Sequence, residues 1–176
     1  MQLIISEKPS QAMTYANVLG ARQRKDGYVE GNGYIISWCI GHLVGLADAA
    51  QYDEKYKSWK LDTLPIIPDT WKYSIFNNKK KQFNIIKKLM NRKDIKSVVC
   101  ATDAGREGEL IFRFVYEMAG CNKPIFRLWL SSMEESAIRT GFDNLTLGKE
   151  YENLYQSALI NCLTRMLKKV RNKDGE

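Results

Sequence analysis

The stretch that decides the fold reads Ser97-Val98-Val99-Cys100-Ala101-Thr102-Asp103-Ala104-Gly105-Arg106-Glu107-Gly108-Glu109. Its first part is short and apolar, which is typical of a buried strand, and its second part brings a turn and a charged helix start. In open α/β sheets the chemistry collects at the carboxyl ends of the strands, and Asp103 stands at such an end. Carboxylates there suit a divalent metal, because hard cations prefer oxygen ligands. The stretch therefore predicts an α/β fold with a metal site beside Asp103.

The N-terminus has the same arrangement. Gln2 to Ile5 is a second short apolar run, and Ser6-Glu7-Lys8-Pro9-Ser10 follows it as a turn that opens a helix. If the two strands are neighbours, Glu7 and Asp103 face each other. We therefore expect the two acids to share one site.

Size and charge limit the class of protein. The 176 residues suit one domain of ordinary size, and a hydrophobic fraction of 44% is typical of a chain that folds around a core. The formal net charge of +7 indicates a polyanionic partner, with nucleic acid as the first candidate. No apolar run approaches the ~20 residues that span a bilayer. The composition predicts a soluble, cytoplasmic protein with no membrane partner.

The four cysteines do not form a metal motif. Cys39, Cys100, Cys121 and Cys162 are widely spaced without a Cys-x-x-Cys pair, and His42 is the only histidine. A zinc site built from cysteine and histidine is therefore excluded. We expect four small, buried thiols in a reducing compartment.

Strands and helices alternate along the chain, so the predicted fold class is α/β, with a mostly parallel sheet flanked by helices. A hairpin is expected between Gly27 and Trp38, turning at Gly31-Asn32-Gly33. A long irregular stretch runs from Ala47 to Phe76, and a boundary near Thr146 separates a domain of residues 1–145 from a linker and the start of a further piece at 146–176. The other predicted elements are helices over 11–19, 78–90, 110–118 and 133–142, the last with Ser132 as N-cap, and a strand over 125–130.

Five separate stretches, in this order, carry a resemblance to a known family. They are Ile4 to Ser10, Trp38-Cys39-Ile40-Gly41-His42-Leu43, Tyr56 to Pro68, Ala101 to Glu109, and Arg127-Leu128-Trp129-Leu130-Ser131-Ser132. On these residues, Met1 to Leu145 resembles the TOPRIM domain of type IA DNA topoisomerases, within that class most like the bacterial topoisomerase III branch. The implied fold is the Rossmann-like TOPRIM sheet.

The resemblance implies an isomerase that passes DNA strands through a transient single-strand break held as a 5′-phosphotyrosine link. Glu7 and Asp103 match the family's Mg²⁺-binding acids, and Glu7 is also its candidate general acid for the departing 3′-oxygen. Lys8 would place a positive charge beside the scissile phosphate. Arg106 would bind phosphate or orient a carboxylate, although a purely structural ion pair is the alternative.

Other candidates near the motif have two interpretations each. Glu107 is preferred to Glu109 as a further metal ligand, yet both are also acids of the kind that helix N-termini favour. His42 lies in a family motif close to the active centre, so a DNA phosphate contact competes with a structural role. The tryptophans could stack on single-stranded bases, with core packing as the alternative for most of them.

Two departures from the family limit the prediction. The usual pattern is Asp-x-Asp-x-Glu, and Gly105 replaces the middle acid, which predicts a weaker metal site or one completed by Glu107, water and DNA phosphate. The residues from Ile160 to Lys173 do not continue the family pattern toward the gate domains that carry the nucleophilic tyrosine. We expect the chain alone to be inactive. An autonomous TOPRIM nuclease or primase-like enzyme and a non-catalytic DNA-binding module remain as alternatives.

Overall fold

The computed structural model describes residues 1–57 and 70–171. No described helix is both long enough and apolar enough to cross a membrane. The strands are β1 (Gln2–Ser6), β2 (Gln23–Lys25), β3 (Tyr28–Gly31), β4 (Tyr34–Trp38), β5 (Val44–Leu46), β6 (Tyr73–Ile75), β7 (Ser97–Ala101), β8 (Ile125–Arg127) and β9 (Thr146–Leu147). The helices are α1 (Pro9–Leu19), α2 (Lys80–Met90), α3 (Arg106–Met118), α4 (Glu135–Asp143) and α5 (Glu152–Arg171).

Seven of the described strands form one sheet, in the order β2-β3-β4-β1-β7-β8-β9. The central strands β4, β1, β7 and β8 are parallel, and antiparallel strands extend the sheet at both edges. Ser6 at the end of β1 is in register with Ala101 at the end of β7. The predicted α/β class with its mostly parallel sheet is confirmed, and the turns after β1 and β7 lie at the same edge.

Helices cover both faces of this sheet, because the buried strand residues alternate between two cores. Leu3 and Ile5 of β1 face the core under α2, α3 and α5, whereas Ile4 faces the core under α1 and α4. Phe83 and Phe114 fill the first core, and Tyr15 fills the second. The molecule therefore has three layers, helix on sheet on helix.

Local sequence signals account for most element boundaries. Pro9 begins α1, where its missing N–H is tolerated, and Gly20 ends it with a φ of 75°. The predicted hairpin is present, and its turn contains Asn32 at a φ of 50°. The thiols of Cys39, Cys100 and Cys121 are buried as expected, whereas Cys162 on α5 is only partly buried.

Three other expectations differ from the structure. The strand after Pro124 ends at Arg127 rather than at 130, because only Ile125 to Arg127 pair with β7. Helix α4 begins at Glu135, and Ser132 accepts a hydrogen bond from the Glu134 N–H before the helix instead of capping it. Part of the long irregular stretch forms β6, whereas residues 58–69, including most of the Tyr56 to Pro68 motif, lie outside the described residues.

Helix α5 packs on α3 with Tyr155 and Ala158 buried in the first core. The Tyr155 hydroxyl donates to Glu117 of α3 at 2.9 Å. The described part of 146–176 thus contacts the predicted domain of residues 1–145, and the domain boundary near Thr146 stays a prediction.

Candidate functional site

A cleft of about 930 Å³ opens at the carboxyl ends of β1 and β7. Its wall brings together residues that are far apart in the sequence, because the parallel pairing of these strands sets their following turns side by side. The predicted site residues on this wall are Glu7, His42, Asp103, Arg106 and Glu107.

Glu7 and Asp103 are direct neighbours, as their positions after two adjacent strands predict. The backbone N–H of Asp103 donates to Glu7 Oε2 at 3.3 Å. Lys8 reaches the same place, with Nζ 3.3 Å from Asp103 Oδ2. Both side chains of this ion pair are about half exposed, so solvent screening leaves the pair worth at most about 1 kcal/mol.

Gln11, on the first turn of α1, is a member of this cluster that sequence reasoning did not identify. Its Oε1 accepts from the backbone N–H of Glu7 at 3.2 Å, and its Nε2 donates to Asp103 Oδ1. In the sequence it is one more polar residue at a helix start, and no local signal marks its contact with a residue 92 positions away.

His42 and Glu107 meet across the cleft, with Nε2 of the histidine 2.6 Å from Oε1 of the carboxylate. Lys79 binds the backbone of the loop that carries His42. The Lys79 ammonium donates to the carbonyls of Ile40 at 2.6 Å and of His42 at 2.9 Å. His42 is therefore fixed next to an acidic wall of the cleft.

Arg106 begins α3 and is exposed on the cleft wall. It forms no ion pair with any residue that the structure describes, so the structural alternative for this side chain is not supported. The free N–H groups and positive dipole end of a helix N-terminus favour anions. This end of the cleft is suited to phosphate.

Beneath the Asp103 turn lies a buried network around Glu109. Arg113 Nε donates to Glu109 Oε1 at 2.9 Å, and Arg127 Nε is 3.0 Å from Oε2, although not in hydrogen-bond alignment. The Arg127 guanidinium also donates to the carbonyls of Cys100, Thr102 and Asp103 at 2.8 to 3.0 Å. Glu109 is 1% exposed and does not line the cleft, whereas Glu107 does.

Gly108 is a second residue that the sequence did not single out. A Cβ at this position would lie 2.2 Å from the carbonyl oxygen of Asp103, so only glycine allows the turn to fold back onto α3. Thr102 secures the same approach, because its hydroxyl donates to the Gly108 carbonyl at 2.8 Å. The position of the Asp103 turn against α3 therefore depends on the missing side chain of Gly108 and on the hydrogen bond from Thr102.

Among the described cysteines and tryptophans, only Cys162 lines the cleft. Burial raises the pKa of the Cys100 thiol to about 11, which keeps it protonated and unreactive at neutral pH. Trp129 is 45% exposed and stacks on Tyr151 with ring centroids 5.2 Å apart. Trp38 packs at the edge of the second core, and Trp59 lies outside the described residues. Base stacking by these rings stays a prediction.

The donors of the cleft suit a hard divalent cation. Among the described residues, no three His, Cys, Asp or Glu side chains converge as a ready-made metal cage, since Asp103 faces Lys8 and Gln11 while Glu107 faces His42. Mg²⁺ keeps several of its waters and takes only one or two carboxylates besides substrate phosphate. The adjacent, solvent-accessible carboxylates of Glu7 and Asp103 fit that requirement.

The fold and this cleft define the class. The family model of the Toprim domain matches residues 2–133, and the chain belongs to this family. Full-length topoisomerase I from Thermotoga maritima has a similar structure, with a TM-score of 0.53 over 82% of this chain and 21% of that chain, at 20% sequence identity. That likeness shows the fold alone.

Sequence similarity points to a particular group of relatives. The chain is 48% identical over 157 residues to DNA topoisomerase 3 of Bacillus subtilis and 49% identical over 155 residues to that of Shouchella clausii. These matches cover 89% and 88% of the chain but only 22% and 21% of the two relatives. The chain therefore spans about a fifth of the length of the topoisomerases that it resembles.

Proposed function

We propose that this chain is the Mg²⁺- and DNA-phosphate-binding Toprim part of a cytoplasmic topoisomerase III that passes strands through a transient single-strand break. The observation that supports it most is the cleft lined by Glu7, Asp103, Glu107 and Arg106, with the Lys8 ammonium 3.3 Å from Asp103. This combination of carboxylates and cations is what a metal-assisted reaction at a phosphodiester requires.

Each side chain has a defined task in this proposal. Lys8 and Arg106 bind the phosphate oxygens and hold the DNA backbone in place. Asp103 and, in its ionised form, Glu7 would hold Mg²⁺, which when bound would offset the negative charge at the reacting phosphate, and Glu107, which lies beside His42, would complete the site together with water and DNA phosphate. As the bond from phosphorus to the 3′-oxygen breaks and a bond to a tyrosine oxygen forms, the tyrosine hydroxyl loses its proton to solvent, and a Glu7 carboxyl that is protonated and not bound to Mg²⁺ at that moment gives its proton to the 3′-oxygen.

The nucleophilic tyrosine belongs to the gate domains, which we propose as the partner of this part. All nine tyrosines lie within the described residues, and none of them lines the cleft. Similarity to DNA topoisomerase 3 over most of the chain supports this function over an autonomous nuclease or a primase-like enzyme.

A binding experiment tests the phosphate contacts. The purified chain is titrated into a fluorescently labelled single-stranded oligonucleotide at several salt concentrations, with Mg²⁺ or with a chelator. Lys8→Met and Arg106→Met should each weaken binding and reduce the slope of log K against log salt by about 0.7 per lost phosphate contact. Lys149→Met, at an exposed site outside the cleft, is the matched control. Equal binding by all three variants would favour the non-catalytic module.

A chimera tests the activity of the whole enzyme. This Toprim part replaces the corresponding part of Bacillus subtilis DNA topoisomerase 3, and relaxation of negatively supercoiled DNA is measured. Relaxation should be retained and should fall at least ~100-fold with Glu7→Gln, because general acid catalysis contributes that much. Glu150→Gln, an exposed acid away from the cleft, should leave it unchanged. A folded but inactive chimera contradicts the proposal, and metal-dependent cleavage by the chain alone would favour a nuclease.

A further inference from the structure

Gln11 connects the two acidic turns of the cleft through a closed set of contacts. The Glu7 N–H donates to Gln11 Oε1 at 3.2 Å, Gln11 Nε2 donates to Asp103 Oδ1, and the Asp103 N–H donates back to Glu7 Oε2 at 3.3 Å. Three hydrogen bonds thus connect Gln11 of α1 with Glu7 after β1 and with Asp103 after β7. Each residue both donates and accepts, so the loss of one contact loosens the other two.

A helix cap explains only one end of the Gln11 side chain. Glutamine at the third position of a helix commonly accepts a backbone N–H from the residues just before the helix. Gln11 holds this position in α1, and its Oε1 does so with the Glu7 N–H. The Nε2 group has no part in capping, and in an isolated helix it would face water. Here it faces the carboxylate of Asp103 instead.

Lys8 cannot supply the same restraint on Asp103. Its ion pair spans 3.3 Å between side chains that are 55% and 49% exposed, and a flexible exposed lysine holds a geometry weakly. Gln11 is partly buried and is tied at its other end to the backbone of Glu7. The direction of the Asp103 carboxylate is therefore set by the amide of Gln11, while Oδ2 stays on the side of Lys8 and the solvent.

We propose that Gln11 is a positioning residue, which turns the Asp103 carboxylate so that Oδ1 is held by the protein while Oδ2 faces the solvent beside Lys8 and can exchange that weak ion pair for a divalent cation. Carboxylates that bind metals are commonly oriented by hydrogen bonds from neighbouring residues, and loss of such a partner costs 10- to 100-fold in metal affinity. This inference rests on the proposed metal-binding role of Asp103.

Mn²⁺ binding to the full chain tests the inference without any measurement of catalysis. Free Mn²⁺ is quantified by its electron paramagnetic resonance signal during titration with MnCl₂. Gln11→Met keeps the length of the side chain but removes both hydrogen bonds, and we expect its dissociation constant to rise about 10-fold. Gln11→Asn is one methylene too short to span both partners, and it should show the same loss.

Asn32→Gly is the matched control for a general weakening of α1. Asn32 Nδ2 donates to the Leu19 carbonyl at the other end of this helix at 2.9 Å, and glycine accepts the positive φ of that position. This variant should lose thermal stability as Gln11→Met does, yet bind Mn²⁺ within twofold of the parent chain. If Gln11 only caps the helix, Gln11→Met and Asn32→Gly should affect Mn²⁺ affinity equally at an equal loss of thermal stability.

The possible failures are distinguishable with one more variant, Asp103→Ala. If Asp103→Ala weakens Mn²⁺ binding but the folded Gln11 variants bind within twofold of the parent chain, the inference is wrong and the proposed function stands. Equal weakening by Asn32→Gly would also overturn it, because stability of α1 would then explain the loss. If Asp103→Ala leaves Mn²⁺ binding intact, the proposed metal site itself is wrong.

Discussion

Gly105 stands between Asp103 and Glu107, at the position where the resemblance implies a further acid. Its backbone has a φ of 164°, which is extended and open to any residue, and a Cβ placed there would meet no atom within 4 Å. Gly108, three residues on, is the opposite case, because its Cβ would collide with the backbone of Asp103. The missing acid at Gly105 is therefore not imposed by the local fold.

We predict that Gly105→Asp folds and binds Mn²⁺ more tightly, on the order of 10-fold or about 1.4 kcal/mol, because an added carboxylate raises the charge of the donor set. Isothermal titration calorimetry of the purified chain measures this affinity. Gly105→Ala occupies the same space without the charge and should match the parent chain. If the two variants bind Mn²⁺ equally well, the side chain at this position does not reach the ion.

At the scale of elements, Arg127 joins three elements behind the Asp103 turn. It ends β8, it donates to the carbonyls of Cys100 and Thr102 at the end of β7, and its guanidinium lies beside Glu109 of α3. The fork of N–H donors on a guanidinium allows several contacts at once, which a lysine could not replace. The packing of these elements depends on an ionic group with almost no exposure.

Arg127→Met should lower the free energy of unfolding by about 3–5 kcal/mol, since it removes the guanidinium donor from the carbonyls of Thr102 and Asp103 and leaves the buried Glu109 with Arg113 as its remaining ion-pair partner. Urea denaturation followed by circular dichroism measures the change. Arg139→Met breaks only an exposed pair with Glu135 on α4 and should cost at most about 0.5 kcal/mol. A loss below about 1 kcal/mol for Arg127→Met would show that the network is dispensable.

At the scale of the whole molecule, several tyrosines in or against the two cores have raised pKa values. Burial raises the pKa of Tyr15 to about 12, with a further contribution from the charge of Asp103. Burial and then the hydrogen bond with Glu117 raise the pKa of Tyr73 to about 12, and burial also raises the pKa of Tyr155. Because a raised pKa favours the protonated form in the folded state, these tyrosines stabilise the fold fully only below about pH 10, where the unfolded chain also keeps its protons.

We therefore predict that the free energy of unfolding falls as the pH rises from about 10 to 12, by up to about 1.4 kcal/mol per pH unit for each such tyrosine. Urea denaturation at half-unit steps of pH measures the slope. Tyr15→Phe and Tyr73→Phe should each make the slope shallower, whatever their effect at pH 7. A slope that is the same in both variants as in the parent chain would contradict the assignment.

Strands and helices were predictable wherever the signal is local. Pro9 and Gly20 mark the ends of α1, and the apolar runs before Glu7 and before Asp103 predicted β1 and β7. The end of β8 was not predictable, because the apolar run continues past Arg127, whereas the pairing with β7 ends at that residue. Local patterns record periodicity and caps but not the environment of a side chain.

The sequence alone determined the α/β class, the presence of an acid after each of two short apolar runs, and the family that the motif stretches indicated. These features depend on residues close together in the chain, where spacing and turn chemistry act directly. Only the tertiary structure decided that Gln11 holds Asp103, that His42 faces Glu107 and that Arg127 supports the acidic turn. Those contacts join residues 24 to 92 positions apart, so they exist only once the strand order and the packing of the helices set the distances between them.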